Sequence, residues 1–272
     1  MDDRFISCYN PEDSQLRHDQ LELFKMVQVV AEICKENNIN WWLSSGTLLG
    51  AARHKGFIPW DDDMDIVLLK KDYIKLEKIL CSIESDEYVF HCQKTDIDYV
   101  NYFGKFRKKE GRISSPSKRY DFYQWTGIGF DIFAIEKTNT VAAFVASKLY
   151  SRLQGKTIEI NNSKKRHFVI RSIQFLCDYI FFPILRLIGL INPKSECHYL
   201  LGTGWPSHKF YYKDTFPLST AEFEGKQMPV PKNMDAYLTN VYGNWRKIPS
   251  AEEIKSSIHC QQYRDEIYGK EQ

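Results

Sequence analysis

Leu16, Leu23, Met26, Val27, Val30 and Ile33 recur at the spacing of one helical face. They predict a helix from Gln15 to Asn37, with Asn37 and Asn38 as its stop. The apolar run "NWWLS", Asn40 to Ser44, predicts a short strand. Gly46 breaks it, and Thr47 to Arg53 reads as a brief helix. Gly56 to Trp60 is a loop held by Pro59. Met64 to Leu69 predicts a strand, and Lys71 to Ser82 returns to helical periodicity. Tyr99 to Lys108 and Gly127 to Ile135 predict two further strands, with the polar, turn-rich stretch Glu110 to Gln124 between them. Phe223 to Pro249 reads as a hairpin, a helix begun near Asn233, and a Tyr-Gly turn. Helices alternating with strands predict an α/β (α+β) core: a small mixed sheet flanked by helices. There is no internal repeat and no low-complexity tract.

Residues Val141 to Leu190 differ from this pattern. "VAAFVASKLYSRLQ" is amphipathic. Lys164, Lys165 and Arg166 then precede "FVIRSIQFLCDYIFFPILRLIGLI", an apolar run interrupted by Arg171, Asp178, Pro183 and Arg186. A spanning helix needs about 20 mostly apolar residues, and central charges cost several kcal/mol each. A helical hairpin packed on the core is the first reading. A helix lying on a membrane surface is the second, and a membrane span the third. The expectation is one domain over residues 1–272, carrying a helical insertion at about 141–209.

The 272 residues are 43% hydrophobic, enough for one substantial domain. A net charge of +2 creates no global field favouring nucleic acid. The start, "MDDRFISCYNPED", is acidic and polar, unlike a secretory signal, so the expected location is cytoplasmic. The seven cysteines (Cys8, Cys34, Cys81, Cys92, Cys177, Cys197 and Cys260) are irregularly spaced and form no CxxC pair. Free thiols are expected rather than a zinc site. Three cysteines neighbour a histidine, which reads as chance.

The candidate chemistry lies in "SSGTLLGAARHKGFIPWDDDMDIVL", Ser44 to Leu68. Asp61, Asp62, Asp63 and Asp65 stand within five residues, directly before a strand. Alternate strand residues share a face, so an early strand start would point Asp61, Asp63 and Asp65 one way and Asp62 the other. Carboxylates that close repel, and a divalent cation such as Mg2+ (or Mn2+) would compensate. Asp131, alone in the apolar "GFDIF", would supply a further ligand if its strand lies beside that of Asp63. Gly46 and Thr47 open a helix, where free N–H groups suit a phosphate; Ser45 would assist. Arg53, His54 and Lys55, and Lys105 with Arg107 on one strand face, are candidate phosphate contacts. Each also reads as a solvated surface residue. Trp41, Trp42, Trp60 and Trp125 read either as core or as a cation–π cage.

This stretch resembles the signature of the LicD family, which includes the fukutin-related proteins. "GFDIFAI" and "FEGKQMPVPKNMDAYLTNVYGNW" resemble its later blocks, so the likeness spans roughly Gln15 to Pro249. No family pattern covers Thr140 to Lys209, and the family's usual proline after the carboxylate strand is Ala134. The resemblance implies a nucleotidyltransferase fold, with Gly46-Thr47, Asp63-Met64-Asp65 and Asp131 at the motif positions; Asp61 matches a further acidic one. It implies a CDP-alcohol donor (CDP-choline, CDP-ribitol or CDP-glycerol) and a glycan or lipid-linked glycan acceptor. Mg2+ would sit on Asp63, Asp65 and Asp131, with Asp61 as general base or behind the metal ligands. Two alternatives stay open: transfer of a nucleoside monophosphate from an NTP, and a non-enzymatic glycan-assembly subunit.

Overall fold

The computed structural model describes residues 9–113 and 117–269; Cys8 lies outside them. Helix α1 (Gln15–Glu36) starts at Ser14, whose side chain accepts from the Arg17 N–H, and turns its apolar stripe into the core. Strand β1 (Trp41–Leu43) leads into α2 (Ser45–His54); β2 (Asp65–Leu69) leads into α3 (Lys70–Ser82). Two short strands follow, β3 (Tyr88–His91) and β4 (Gly104–Lys108), then the long β5 (Gly129–Lys137). Helices α4 (Thr140–Gly155), α5 (Ser163–Leu176) and α6 (Phe182–Gly189) form the insertion. A π-helical turn at residues 177–181 joins α5 to α6. Then come β6 (Glu196–Tyr199), β7 (Phe210–Tyr211), α7 (Tyr212–Thr215), the hairpin β8 (Ser219–Phe223) and β9 (Lys226–Val230), α8 (Met234–Tyr242), α9 (Ala251–Ser257) and α10 (Gln261–Tyr268).

The main sheet runs β1-β2-β5-β4-β3, with β6 on the far end of β5 and β7 beside it. β2 and β5 are parallel; the other pairings are antiparallel. This is a mixed sheet flanked by helices, an α+β fold of nucleotidyltransferase type. Ile66, Val67 and Leu68 are fully buried at its centre, as an apolar run covered on both faces requires.

Two sequence expectations shift. The strand expected over Tyr99 to Lys108 is confined to β4. Tyr99 instead turns inward, its ring 4.3 Å from that of His91. The strand expected from Met64 begins at Asp65, so Asp61 to Met64 are an extended approach to the sheet rather than part of its ladder. β3, β6 and β7 have two to four residues each, too few to show a period.

A second apolar cluster lies beside the main core. Ala142, Ala146 and Tyr150 of α4 pack on Cys177, Phe182 and Leu185. These contacts seat one side of the helical hairpin on the body.

Candidate active site

Residues 55–61 are clamped from two sides. On α1, the fully buried Gln20 donates to the carbonyl oxygens of Asp61 at 2.8 Å and Ile58 at 3.3 Å. From the hairpin, Glu224 accepts from Arg17 at 2.7 and 3.0 Å and from the Phe57 N–H at 3.1 Å. A side chain on Gly56 would stand 2.4 Å from the Glu224 carboxylate, so only glycine permits this clamp.

The clamp delivers the acidic stretch to the sheet. Asp65 opens β2 directly opposite Asp131 of β5. The Asp131 N–H donates to the Met64 carbonyl at 2.8 Å. Thr47, 2% exposed, accepts the Asp65 N–H at 2.8 Å. Its hydroxyl thus fixes the start of β2 from within the protein. Gly46 makes room for a second acidic residue, since a Cβ there would lie 2.5 Å from Asp61 Oδ2. The Asp61 carboxylate occupies the first turn of α2, where the sequence suggested a phosphate. Ser45 adopts left-handed φ of 49°. Its hydroxyl lies 3.3 Å from that of Tyr199. Strain of this kind at a non-glycine residue is characteristic of functional sites.

The electrostatics follow from this crowding. Burial, then Asp63, Asp62 and Asp65, push the Asp61 carboxyl well above its ordinary value. Burial, then Asp63 and Asp131, do the same to Asp65. Burial also raises Asp63, although His259 pulls it back. Lys105 pairs with Asp131 in the β4–β5 ladder and sets its Nζ 2.7 Å from Asp131 Oδ1. Burial alone would lower that ammonium, but Asp131 and Tyr120 outweigh it and hold it above its ordinary value. The cluster thus carries more negative charge than Lys105 neutralises.

The donor set suits a hard divalent cation, since it consists of carboxylate oxygens with an excess of negative charge. Among the described residues, no three such side chains converge into a ready-made cage. A cation here would complete its shell with water and substrate phosphate, which is the habit of Mg2+.

The remaining candidates are spread around this centre. Arg53 donates to the Lys247 carbonyl at 2.8 Å, and burial lowers its ordinary affinity for a proton. His54 is pushed down to about 4 by burial and Arg53, and its ring lies 6.5 Å from Trp60. Lys55, at φ 56°, reaches away to Glu222 at 3.1 Å. Arg107 is 1% exposed and donates to the Trp125 carbonyl at 2.7 Å. The centre therefore gathers Ser45, Gly46, Asp61, Asp63, Asp65, Lys105 and Asp131. Arg53 and His54 lie at its margin, Lys55 on the hairpin and Arg107 in the core. Trp41, Trp42 and Trp60 are core residues.

Sequence reasoning passed over several neighbours. The imidazole of His259 lies 3.2 Å from Asp62 and 3.6 Å from Asp63. The Cys260 N–H donates to Asp62 at 2.6 Å. That "HC" pair is a built contact, but it lies 197 residues from Asp62 and carries no local signal. Tyr199, His208 and Tyr242 form an aromatic wall, with ring centres 6.0 and 6.4 Å apart. Trp205, half exposed, extends it 6.3 Å beyond Tyr199.

A nucleotidyltransferase-type sheet with opposed carboxylates at the start of two parallel strands defines the class. The chain belongs to the LicD family: the profile described as "LicD/FKTN/FKRP, nucleotidyltransferase domain" matches residues 38–175. It is similar to the lipopolysaccharide cholinephosphotransferase LicD of Haemophilus influenzae, 24% identical over 259 residues, covering 88% of this chain and 94% of the relative. A shorter stretch is similar to the human ribitol 5-phosphate transferase FKRP, 35% identical over 57 residues, 21% of this chain and 12% of that protein. Another resembles mouse ribitol-5-phosphate transferase FKTN, 39% identical over 49 residues, 18% of this chain and 11% of that protein.

Proposed function

We propose that this chain transfers a phospho-alcohol from a CDP-alcohol to a hydroxyl of a cell-surface glycan or its lipid-linked precursor, releasing CMP. The observation that carries the reading is the facing pair Asp65 and Asp131, with Asp61 and Asp63 beside them and Lys105 bonded to Asp131. The names of the relatives, a cholinephosphotransferase and two ribitol phosphate transferases, supply the class of group moved.

The acceptor oxygen attacks the phosphorus that bears the alcohol. The bond from that phosphorus to the bridging oxygen breaks, and CMP leaves with the oxygen. Asp61 takes the acceptor proton. Asp63, Asp65 and Asp131 would hold Mg2+ (or Mn2+), which would neutralise charge on the donor diphosphate. Lys105 faces the leaving CMP, and the Ser45 hydroxyl donates to a phosphate oxygen. Positioning and electrostatics do most of the work in such transfers. Trp205, half exposed beside the buried Tyr199, offers an aromatic face that suits a nucleobase or, for choline, a quaternary ammonium. The reaction belongs on the cytoplasmic side, near the inner face of the membrane.

The test is calorimetric titration with CDP-choline, CDP-ribitol, CDP-glycerol, CTP and ATP, with and without Mg2+, followed by product analysis. Metal-dependent binding of one CDP-alcohol and release of CMP are expected. Pyrophosphate release from an NTP would replace this reading with nucleotidyl transfer. Absence of any nucleotide binding would replace it with an assembly role.

A further inference from the structure

We propose that the outer face of the α4–α6 hairpin docks on an anionic lipid bilayer, its apolar side chains entering the acyl boundary and its basic residues meeting lipid phosphates. Among the described residues, fourteen of the 23 exposed large hydrophobic side chains fall between Val141 and Ile191. Phe144, Phe175, Tyr179, Leu187, Leu190 and Ile191 are representative, the last two more than three-quarters exposed. Helix 163–189 is long and apolar enough, by length and composition, to cross a membrane. A soluble surface rarely leaves so large an apolar area bare.

Three charges of this helix turn inward, while Arg171 stays exposed. Arg166 pairs with Asp98 at 2.7 Å, Asp178 accepts from the Tyr102 hydroxyl at 2.8 Å, and Arg186 pairs with Glu136 at 2.9 Å. Charged residues that satisfy themselves on the body leave the outward side apolar. The same contacts separate lying on a bilayer from crossing it. The helix is tied to the body near its start by Arg166, at its middle by the buried Cys177, and at its end by Arg186 and by Gly189 packed on Thr138. A span would carry the polar body into the bilayer with it.

Charge identifies the lipid. Residues 141–195 hold nine Lys and Arg against two acids, Glu159 and Asp178, in a chain of net charge +2. Arg166 and Arg186 are used internally; the other seven basic residues are exposed. Their placement is ordered. Asn139 donates to the carbonyls of Ile188 and Ile191, setting the start of α4 beside the end of α6. The exposed face of α4 runs from Val141, Phe144 and Val145 to Lys148 and Arg152, and α5 begins with Lys164 and Lys165. The hairpin thus has an apolar end and a basic turn, the division an interfacial helix needs.

The docking face stands apart from the carboxylate site, so it rests on the proposed transfer only for its biological sense: it would bring a lipid-linked acceptor within reach. The experiment is cosedimentation of the full chain with phosphatidylcholine vesicles with and without phosphatidylglycerol, at low and high salt. Binding is expected to the anionic vesicles and to weaken with salt. Lys164→Glu with Lys165→Glu should weaken it by at least ~25-fold, about five-fold per basic residue lost near the surface. Leu187→Glu with Ile191→Glu should abolish it. Both pairs are exposed, and each variant's melting temperature and metal-dependent donor binding should stay unchanged. No sedimentation at low salt would overturn the proposal, as would equal binding by both variants. Release only by detergent would assign a span instead. A dimer broken by Leu187→Glu with Ile191→Glu, without lipid binding, would assign the face to a second copy. Because donor binding is read separately, failure here leaves the proposed transfer standing, and the reverse also holds.

Discussion

Four aspartates within five residues pose a problem of charge, and the structure answers it only in part. Lys105 answers for Asp131 at 2.7 Å, and His259 for Asp62 and Asp63. Asp61 and Asp65 keep carboxyls held well above the ordinary range by burial and by their acidic neighbours. Two predictions belong at this scale. Asp63→Ala or Asp131→Ala should lower turnover by about 10²–10³-fold or more, because each removes a carboxylate that would hold the cation neutralising the reacting phosphates. An unchanged circular dichroism spectrum would show that the fold survives, and undiminished turnover in either variant would discard the site. The second concerns pH. A carboxyl raised in the folded state keeps its proton where the unfolded chain has lost it. Its contribution is therefore fully present below the ordinary value of 3.8 and is lost as pH rises through the raised folded value. Without metal, the cluster should grow more destabilising from about pH 4 toward neutrality. Asp61→Asn should melt a few degrees above the wild type at neutral pH, with the difference closing toward acid. His259, raised chiefly by Asp62, has the same sign: its contribution is fully present below 6.5 and is lost as pH rises through its folded value. Added Mg2+ should raise the wild-type melting temperature more than that of Asp61→Asn. Equal melting curves across this range would show that the carboxyls are not strained against one another.

At the scale of elements, α2 and the strand it precedes form the functional unit. Alanine normally favours a helix over glycine by about 1 kcal/mol. At Gly46 the added methyl would meet the Asp61 carboxylate at 2.5 Å. Gly46→Ala should leave the protein folded yet lower kcat at least tenfold. Combined with Asp61→Ala it should cost little more than Asp61→Ala alone, since both act through one carboxylate. Additive losses would mean that Gly46 serves a phosphate directly. Much of this unit was legible. The break at Gly46, the apolar run from Ile66 and the isolated Asp131 are local patterns, and they locate two strands and the helix that precedes them. The partners of those patterns were not legible. Gln20, Glu224 and His259 hold the acidic stretch from 41, 167 and 197 residues away, through contacts that no periodicity encodes. Thr47 and Arg107 have the right chemistry for phosphate, but their burial is decided by packing. The strand expected across Tyr99 shows the same limit: an alternating pattern cannot foresee that a tyrosine packs against His91.

The whole molecule is a sheet with a helical hairpin fastened to it at two ionic points of unequal strength. Arg166 is 8% exposed at its side chain, pairs with an Asp98 that is 10% exposed, and lies 4.0 Å over the Phe122 ring. Arg186 is 38% exposed, and its partner Glu136 also holds Lys70 at 2.6 Å. Breaking a buried pair by removing one member leaves an uncompensated charge, and typically costs about 3–5 kcal/mol. His167, 3.0 Å from Asp98, softens that loss without replacing the guanidinium fork or the ring contact. Arg166→Ala should therefore lower urea-unfolding stability by about 3 kcal/mol. Arg186→Ala should cost about 1 kcal/mol, because its guanidinium is partly solvated and Glu136 keeps a cation. The order is the informative quantity. If Arg186→Ala proves the more damaging, the hairpin is held from its apolar end, where Gly189 meets Thr138, and the Asp98 contact is secondary. If the predicted order holds, the contact at the basic turn is the stronger ionic anchor of the insertion, and the Arg186 pair is the weaker.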